Sequence, residues 1–274
     1  MFKWKKYNGG IIPDEYPHIE PSLTDLDEIA NNGSKYLFIR YTSDFDCESE
    51  TGWWYTILDK PFDIQAVKAK RRYEINKGNK NFYTKIIKAS DFGQELYDVY
   101  MESLEGYAAP TVLNRKQFDE QIKLWDDNDK LILFGVFSRE DDSLCGYADV
   151  YRNEKYLPIS SMKTRVSCER DNVNFALVYG IVSFFEEELK QGAYLCDGAR
   201  NIIHKTSFQD YLEKYFGFRK AYCRLHMIYS PKIRVAVRTL YCFRRVFKKL
   251  DNIGIIHKIN GLLLMEEIAR GSRE

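Results

Sequence analysis

Lys130–Tyr151, KLILFGVFSREDDSLCGYADVY, is the stretch on which the fold turns. Its two apolar halves, Lys130–Ser138 and Leu144–Tyr151, have strand length and are joined by the charged pentapeptide REDDS, so the segment predicts an antiparallel hairpin. Working downstream, Tyr156–Val166 (YLPISSMKTRV) supplies a further strand, and Asn172–Gln191 reads as one long helix closed by Gly192. Ala193–Asp197 (AYLCD) is a strand that runs into a Gly-Ala-Arg-Asn turn. A helix at Ser207–Phe216 closed by Gly217 and a last strand at Lys220–Tyr229 follow. Upstream, Asn114–Trp125 carries Phe118, Ile122 and Trp125 on one helical face. Asp91–Tyr107 does the same with Leu96, Tyr100 and Leu104 at i, i+4 spacing. Further back come a strand at Phe82–Ile87, a basic helix within Pro61–Lys80 with Gly78 as its C-cap, and strands at Trp53–Leu58 and Lys35–Tyr41. Residues 1–34 are rich in Pro, Gly and Asn, with one helix expected at Ser22–Ala30, capped by Ser22.

Composition bounds the function. The chain has 274 residues, 45% hydrophobic and 30% charged, which suits a globular protein with a sizeable core. The 41 basic and 40 acidic residues nearly cancel, so no global field draws polyanions. The six cysteines form no C-x-x-C pair and only four histidines accompany them, so no metal centre is expected. The start, MFKWKKYNGGIIPDEY, lacks the apolar core of a secretory signal, and no run approaches the roughly 20 apolar residues of a membrane span. The cysteines are therefore read as reduced thiols, and the expected location is the cytoplasm, including the inner face of the membrane.

The order of elements (two helices, an antiparallel hairpin with a further strand, a long helix, a strand, a helix and a final strand) resembles that of the GNAT acyltransferases over about residues 36–230. The fold class expected is thus α+β (α/β), a mixed, mostly antiparallel sheet flanked by helices. An N-terminal extension is expected over residues 1–35, and a basic helical C-terminal extension over residues 231–274. The resemblance implies a sheet that splays at its middle, with the acyl donor lying in the gap. The glycine-rich loop with which GNAT enzymes hold a pyrophosphate, Q/R-x-x-G-x-G/A, is replaced here by Arg165–Asn174, which contains no glycine. Two segments narrow the likeness to Fem-type peptidoglycan bridge aminoacyltransferases and the related BioF2-like acetyltransferases. One is the basic run from Lys68 to Gly78. The other is Cys196-Asp-Gly-Ala-Arg200 followed by His204-Lys205 and Lys214-Tyr-Phe-Gly217, where Glu213 stands at the place the family gives its lysine.

Acyl transfer to an amine needs removal of the amine's proton and stabilisation of a developing oxyanion. The resemblance points to Asp197, at a strand end, as proton acceptor and to Lys205 as the cation nearby; a lone His204 is more often structural. Lys163 and Arg165 lie on the strand expected to line the donor gap and would meet the donor's phosphates. Arg71, Arg72, Lys77, Arg200 and Lys214 would bind substrate. Each has a plainer reading: an Asx turn for Asp197, a solvated face for the basic residues. Cys168 and Cys196 lack an evident base and are not read as nucleophiles.

The expected activity is transfer of an acyl or aminoacyl group, from acetyl-CoA, another acyl-CoA or aminoacyl-tRNA, to an amine of a small-molecule or lipid-linked envelope or sugar precursor. Its competitor is a catalytically silent GNAT-like binding module in envelope or polysaccharide assembly. The basic run Lys232–Lys249, interleaved with Val, Leu, Tyr and Phe, suits peripheral contact with an anionic membrane or, equally, a packed helix with a solvated face.

Overall fold

The computed structural model describes residues 2–31, 36–105, 112–202, 207–249 and 254–272. The chain opens with strands β1 (Trp4–Tyr7) and β2 (Gly10–Pro13), helix α1 (Leu23–Asn31), and strands β3 (Phe38–Ser43) and β4 (Trp53–Leu58). Helix α2 (Ala69–Asn81), β5 (Phe82–Ile86), α3 (Gly93–Glu102) and α4 (Arg115–Asp126) follow. Then come β6 (Leu131–Ser138), β7 (Leu144–Tyr151) and β8 (Tyr156–Thr164). The remainder is α5 (Val173–Phe184), α6 (Glu186–Lys190), β9 (Tyr194–Ala199), α7 (Phe208–Phe216), β10 (Arg219–Tyr229), α8 (Pro231–Cys242), α9 (Arg244–Lys249) and α10 (Gly254–Gly271).

These elements form two compact units, whose limits differ from the expected 1–35, 36–230 and 231–274. One unit comprises residues 57–198 and 208–219; the other gathers residues 1–56, 199–207 and 220–274. The difference has a physical origin in the strands. The first 35 residues contribute β1 and β2, and β2 pairs in parallel with β3 through Ile11 and Ile39, so they are sheet and not an appendage. The segment after residue 230 likewise supplies core: Val237, Met265, Ile268 and Ala269 pack with Phe38, Trp53, Leu225 and Met227.

In the larger unit, strands run in the order β9-β8-β7-β6-β5. The β5/β6, β6/β7 and β7/β8 pairs are antiparallel and the β8/β9 pair is parallel, as a mixed and mostly antiparallel sheet requires. One face packs against α2, α5 and α7 through Phe134, Val136, Ala148, Val150, Leu157, Ile181, Leu195 and Phe216. The other face packs against α3 and α4, where Leu96, Tyr100, Phe118, Ile122 and Trp125 meet Leu133 and Tyr147. Burial of this kind contributes roughly 25 cal/mol for each Å² of apolar surface removed from water and is the main source of the unit's stability.

Local chemistry sets the boundaries. Asn114 caps α4 in a reciprocal box with Gln117, each side chain bonding the other's backbone amide at 3.0 Å. Gly78 does not end its helix as expected: α2 continues to Asn81, and Gly78 lies buried inside it. A Cβ there would come 2.6 Å from the Asn172 carbonyl oxygen, so the glycine serves close approach of α2 to the start of α5. The long helix expected over Asn172–Gln191 is broken at Phe185 into α5 and α6, and Gly192, at φ +86°, follows α6.

Candidate functional site

The site is built on the parting of β8 and β9. Their parallel register runs only from Tyr156↔Tyr194 to Pro158↔Cys196, after which β8 continues six residues without a partner on that side among the described residues. Two sequence features produce the divergence. Pro158 has no amide hydrogen to extend the ladder. Next to it, the β7/β8 register slips between Asp149↔Ser161 and Val150↔Ile159, making Ser160 the extra residue of a bulge. A bulge bends its strand and adds twist. The buried Asp149 carboxylate holds the bend by accepting hydrogen bonds from the Ser161 and Ser160 hydroxyls. Burial is the largest influence on Asp149 and lifts its pKa above the ordinary value, which the two serines partly offset.

Asp197 stands on β9 one residue past the last paired position, followed by Gly198 at φ +101°. Leu195 is in the core on the α5 and α7 side, and the same strand parity brings Asp197 to α7, where Gln209 hydrogen-bonds its carboxylate. Desolvation pushes its pKa up to about 6, against the lowering effect of Gln209. A carboxylate tuned so close to neutrality is a competent proton acceptor. The Asx-turn reading accounts for neither the burial nor the partner.

Lys163 faces the other side of the sheet, because it pairs with Tyr147, which packs on α3 and α4. Its ammonium makes no hydrogen bond or ion pair among the described residues, and burial lowers its pKa. Arg165 follows beyond the end of β8, and its guanidinium is engaged: Nη1 meets Glu102 Oε2 at 2.8 Å and Nε donates to the Leu144 carbonyl at 2.9 Å. The same Glu102 accepts from the Ser167 amide at 3.0 Å and from its hydroxyl at 2.6 Å. Burial opposes the charge on Glu102, but these donors outweigh it and keep the carboxyl below its ordinary pKa. The loop between β8 and α5, where a pyrophosphate was the alternative, thus already holds a carboxylate from α3. Beside it lies an open cleft of about 980 Å³ lined by Asp98, Glu102, Glu105 and Arg170 among others, which is acidic on balance.

The remaining expected residues are distributed more widely. Arg71 donates to the Lys214 carbonyl at 2.7 Å and ties α2 to α7, while the Lys214 ammonium sits 4.8 Å from the ring centroid of its neighbour Tyr215. Arg72 bonds Gln65, and Lys77 donates to the Arg170 carbonyl at 2.5 Å. Arg200, in the smaller unit, bonds the Gly52 carbonyl at 2.6 Å and lies 4.5 Å from the Trp54 ring centroid. Arg71, Arg72, Lys77 and Arg165 are therefore occupied by protein groups, and they do not converge on one point with Asp197. Lys205 and His204 lie outside the described residues. Cys196 is fully buried and its thiol is pushed up to about 12 by that burial, which disfavours a thiolate.

Three residues were invisible to motif reading. Glu102 fills the loop from 65 residues away, Gln209 orients Asp197, and Tyr211 buries a hydroxyl with no hydrogen-bond partner among Phe175, Phe208, Tyr215 and Phe216. Nothing local in the sequence marks them, since each matters through a tertiary contact.

No family model matches this chain, and no curated protein matches it in sequence. Solved structures do. FemX superposes with a TM-score of 0.54 at 9% identity, over 80% of this chain and 81% of that one. The C-terminal domain (DUF2156) of a protein described as a lysylphosphatidylglycerol synthetase from Agrobacterium fabrum gives 0.52 at 12% identity, over 87% and 84%. L-PGS from Bacillus licheniformis gives 0.50 at 14%, over 81% and 79%. At these identities the likeness shows the fold, which is GNAT-like and of the kind seen in FemX.

Proposed function

We propose that the protein is an N-acyltransferase that moves an aminoacyl group from an ester donor of the aminoacyl-tRNA type to an amine of an envelope or sugar precursor, with Asp197 as the proton acceptor. The observation that carries the reading is the desolvated Asp197, held by Gln209 where β9 parts from β8 and raised to a pKa of about 6. The acceptor nitrogen attacks the ester carbonyl, so a C–N bond forms and the ester C–O bond breaks. The nitrogen's proton passes to the Asp197 carboxylate and from there to the leaving hydroxyl. Asp197 is half-buried rather than sealed, which leaves it open to a substrate.

Glu102 favours an aminoacyl ester over acyl-CoA. Its carboxylate takes the Ser167 amide and the Arg165 guanidinium, and a CoA pyrophosphate there would meet negative charge at short range. The FemX and lysylphosphatidylglycerol synthetase likenesses agree with aminoacyl transfer as the class. The exposed Val235, Phe243 and Val246, set among the basic residues of α8 and α9, suit contact with an anionic membrane and hence a lipid-linked acceptor.

The test is transfer of labelled amino acids from a charged tRNA pool to amine acceptors, run beside acetyl-CoA as donor. Transfer from tRNA is expected to rise with pH through about 6 and level off above it, as the Asp197 carboxylate ionises. Asp197→Asn should lower turnover by about 100-fold or more and flatten that profile. Unchanged turnover in Asp197→Asn would remove Asp197 from the reaction. Transfer from acetyl-CoA alone would reverse the choice of donor.

A further inference from the structure

The smaller unit contains a guanidinium without a counter-ion among the described residues. Arg40, in the middle of β3 opposite Met227 of β10, extends beneath aromatic rings: its Cζ lies 5.2 Å from the Trp53 ring centroid and 5.9 Å from that of Tyr7. The hydrogen bond it makes is a weak one, from Nη1 to the Met265 thioether at 3.6 Å. No carboxylate of the described residues pairs with it, and burial lowers its pKa. Guanidinium groups present five donors in a planar fork and are rarely buried without a partner.

A small pocket opens beside this group. It measures about 70 Å³ and is lined by Arg40, Trp53, Tyr16, Tyr41 and Tyr55, with Ile12, Pro13, Pro17 and Ile19 supplying apolar wall. That is room for a carboxylate or phosphate group. Trp53 lines the same space and is 2% exposed, and its indole N–H is buried without an acceptor. A half-buried guanidinium with no carboxylate partner among the described residues, set at a pocket, marks a place where an anion arrives from outside. Glu15 also lines the pocket, and its Oε1 accepts the Lys3 amide at 3.1 Å.

We propose that this pocket is an oxyanion-binding site, in which the Arg40 fork receives a carboxylate or phosphate carried on a ligand whose remainder lies over the tyrosine and proline rim. The site stands independently of the acyl-transfer reading, because it uses none of the same residues. A bidentate guanidinium–oxyanion contact is specific as well as strong, which suits recognition of a ligand's charged end.

The experiment is a calorimetric titration of the full chain with inorganic phosphate and, separately, with N-acetylglycine as a carboxylate, each against chloride at matched ionic strength. One of the two should bind saturably. Arg40→Met should weaken it by about tenfold or more, as expected for loss of a charged hydrogen bond. Melting of the ligand-free proteins gives the control. Because the half-buried guanidinium has no counter-ion among the described residues, Arg40→Met should melt no lower than the parent. Binding of phosphate alone identifies a phosphate site, and binding of N-acetylglycine alone a carboxylate site. Absence of saturable binding by either, undiminished binding in Arg40→Met, or a marked loss of stability in that variant would each overturn the proposal.

Discussion

Replacing Asp197 by Asn should make the protein more stable at alkaline pH and leave it unchanged in acid. Desolvation raises this aspartate from its ordinary 3.8 to about 6, which corresponds to about 3 kcal/mol at roughly 1.4 kcal/mol per tenfold change. The sign follows from linkage. The native state holds the proton more tightly than the unfolded chain, so the favourable contribution is complete below about pH 3.8 and is lost as pH rises through 6. At pH 8 the ionised carboxylate therefore opposes folding. An asparagine removes the charge, keeps the shape and can still hydrogen-bond Gln209, so about 1–2 kcal/mol of the penalty should be recovered. For a chain of this size that is a rise in Tm of about 2–6 °C at pH 8. The assay is thermal unfolding of both proteins at half-unit steps from pH 4 to pH 8.5, with the Tm difference plotted against pH. The difference should be near zero at the acid end and grow through pH 6. A constant difference, or a variant that is less stable at pH 8 than at pH 4 relative to the parent, would refute the desolvation argument and with it the tuning of Asp197.

Two further substitutions test the packing that positions the site. Gly180→Ala would set a Cβ 2.4 Å from that of Thr84, where α5 crosses β5, and should cost about 1–3 kcal/mol in denaturant unfolding, whereas an alanine in open helix would be mildly stabilising. Asn114→Ala removes the reciprocal cap of α4 and should cost about 1 kcal/mol in the same measurement, with Asn114→Ser restoring most of it.

Much of the central fold could be read directly. β7 occupies Leu144–Tyr151 and β4 occupies Trp53–Leu58 as expected. Leu96 and Tyr100 of α3 and Phe118, Ile122 and Trp125 of α4 face inward as expected, while Leu104 packs on the same core from beyond the end of α3 at Glu102. Those segments have strong periodicity and clear punctuation. The N-terminal hairpin has its own local signal: Asn8-Gly9 joins β1 to β2 with both residues at positive φ, a turn type that Asn-Gly favours. Gly78 misled because a glycine near a helix end reads as a cap, and only the Asn172 carbonyl pressed against it reveals its other use. The site itself was half legible. That Asp197 lies on a strand is a sequence property, although β9 runs on to Ala199 past the end expected at Asp197. Its burial, its Gln209 partner and the Glu102 carboxylate in the loop arise from residues distant in the chain. The basic residues were the least informative, since Arg71, Lys77 and Arg165 use their charge to join α2, α7 and the β8–α5 loop to their neighbours.

The two units differ in how the ribosome would deliver them. Residues 57–198 are continuous and carry four antiparallel and parallel strand pairings together with five helices, so most of the larger unit has emerged before residue 200 is made. The smaller unit begins first and finishes last: β3 must wait for β10, some 180 residues downstream, before its ladder can form, and Phe38 and Trp53 wait longer still for α10. Pairings of such sequence separation are slow and leave apolar strands uncovered in the interval. The early strands of this chain are accordingly the segments most in need of a chaperone during synthesis: termination between residues 220 and 229 should leave the larger unit's own core complete while depriving β3 of its partner, and later termination should spare that ladder but remove the cover of α10.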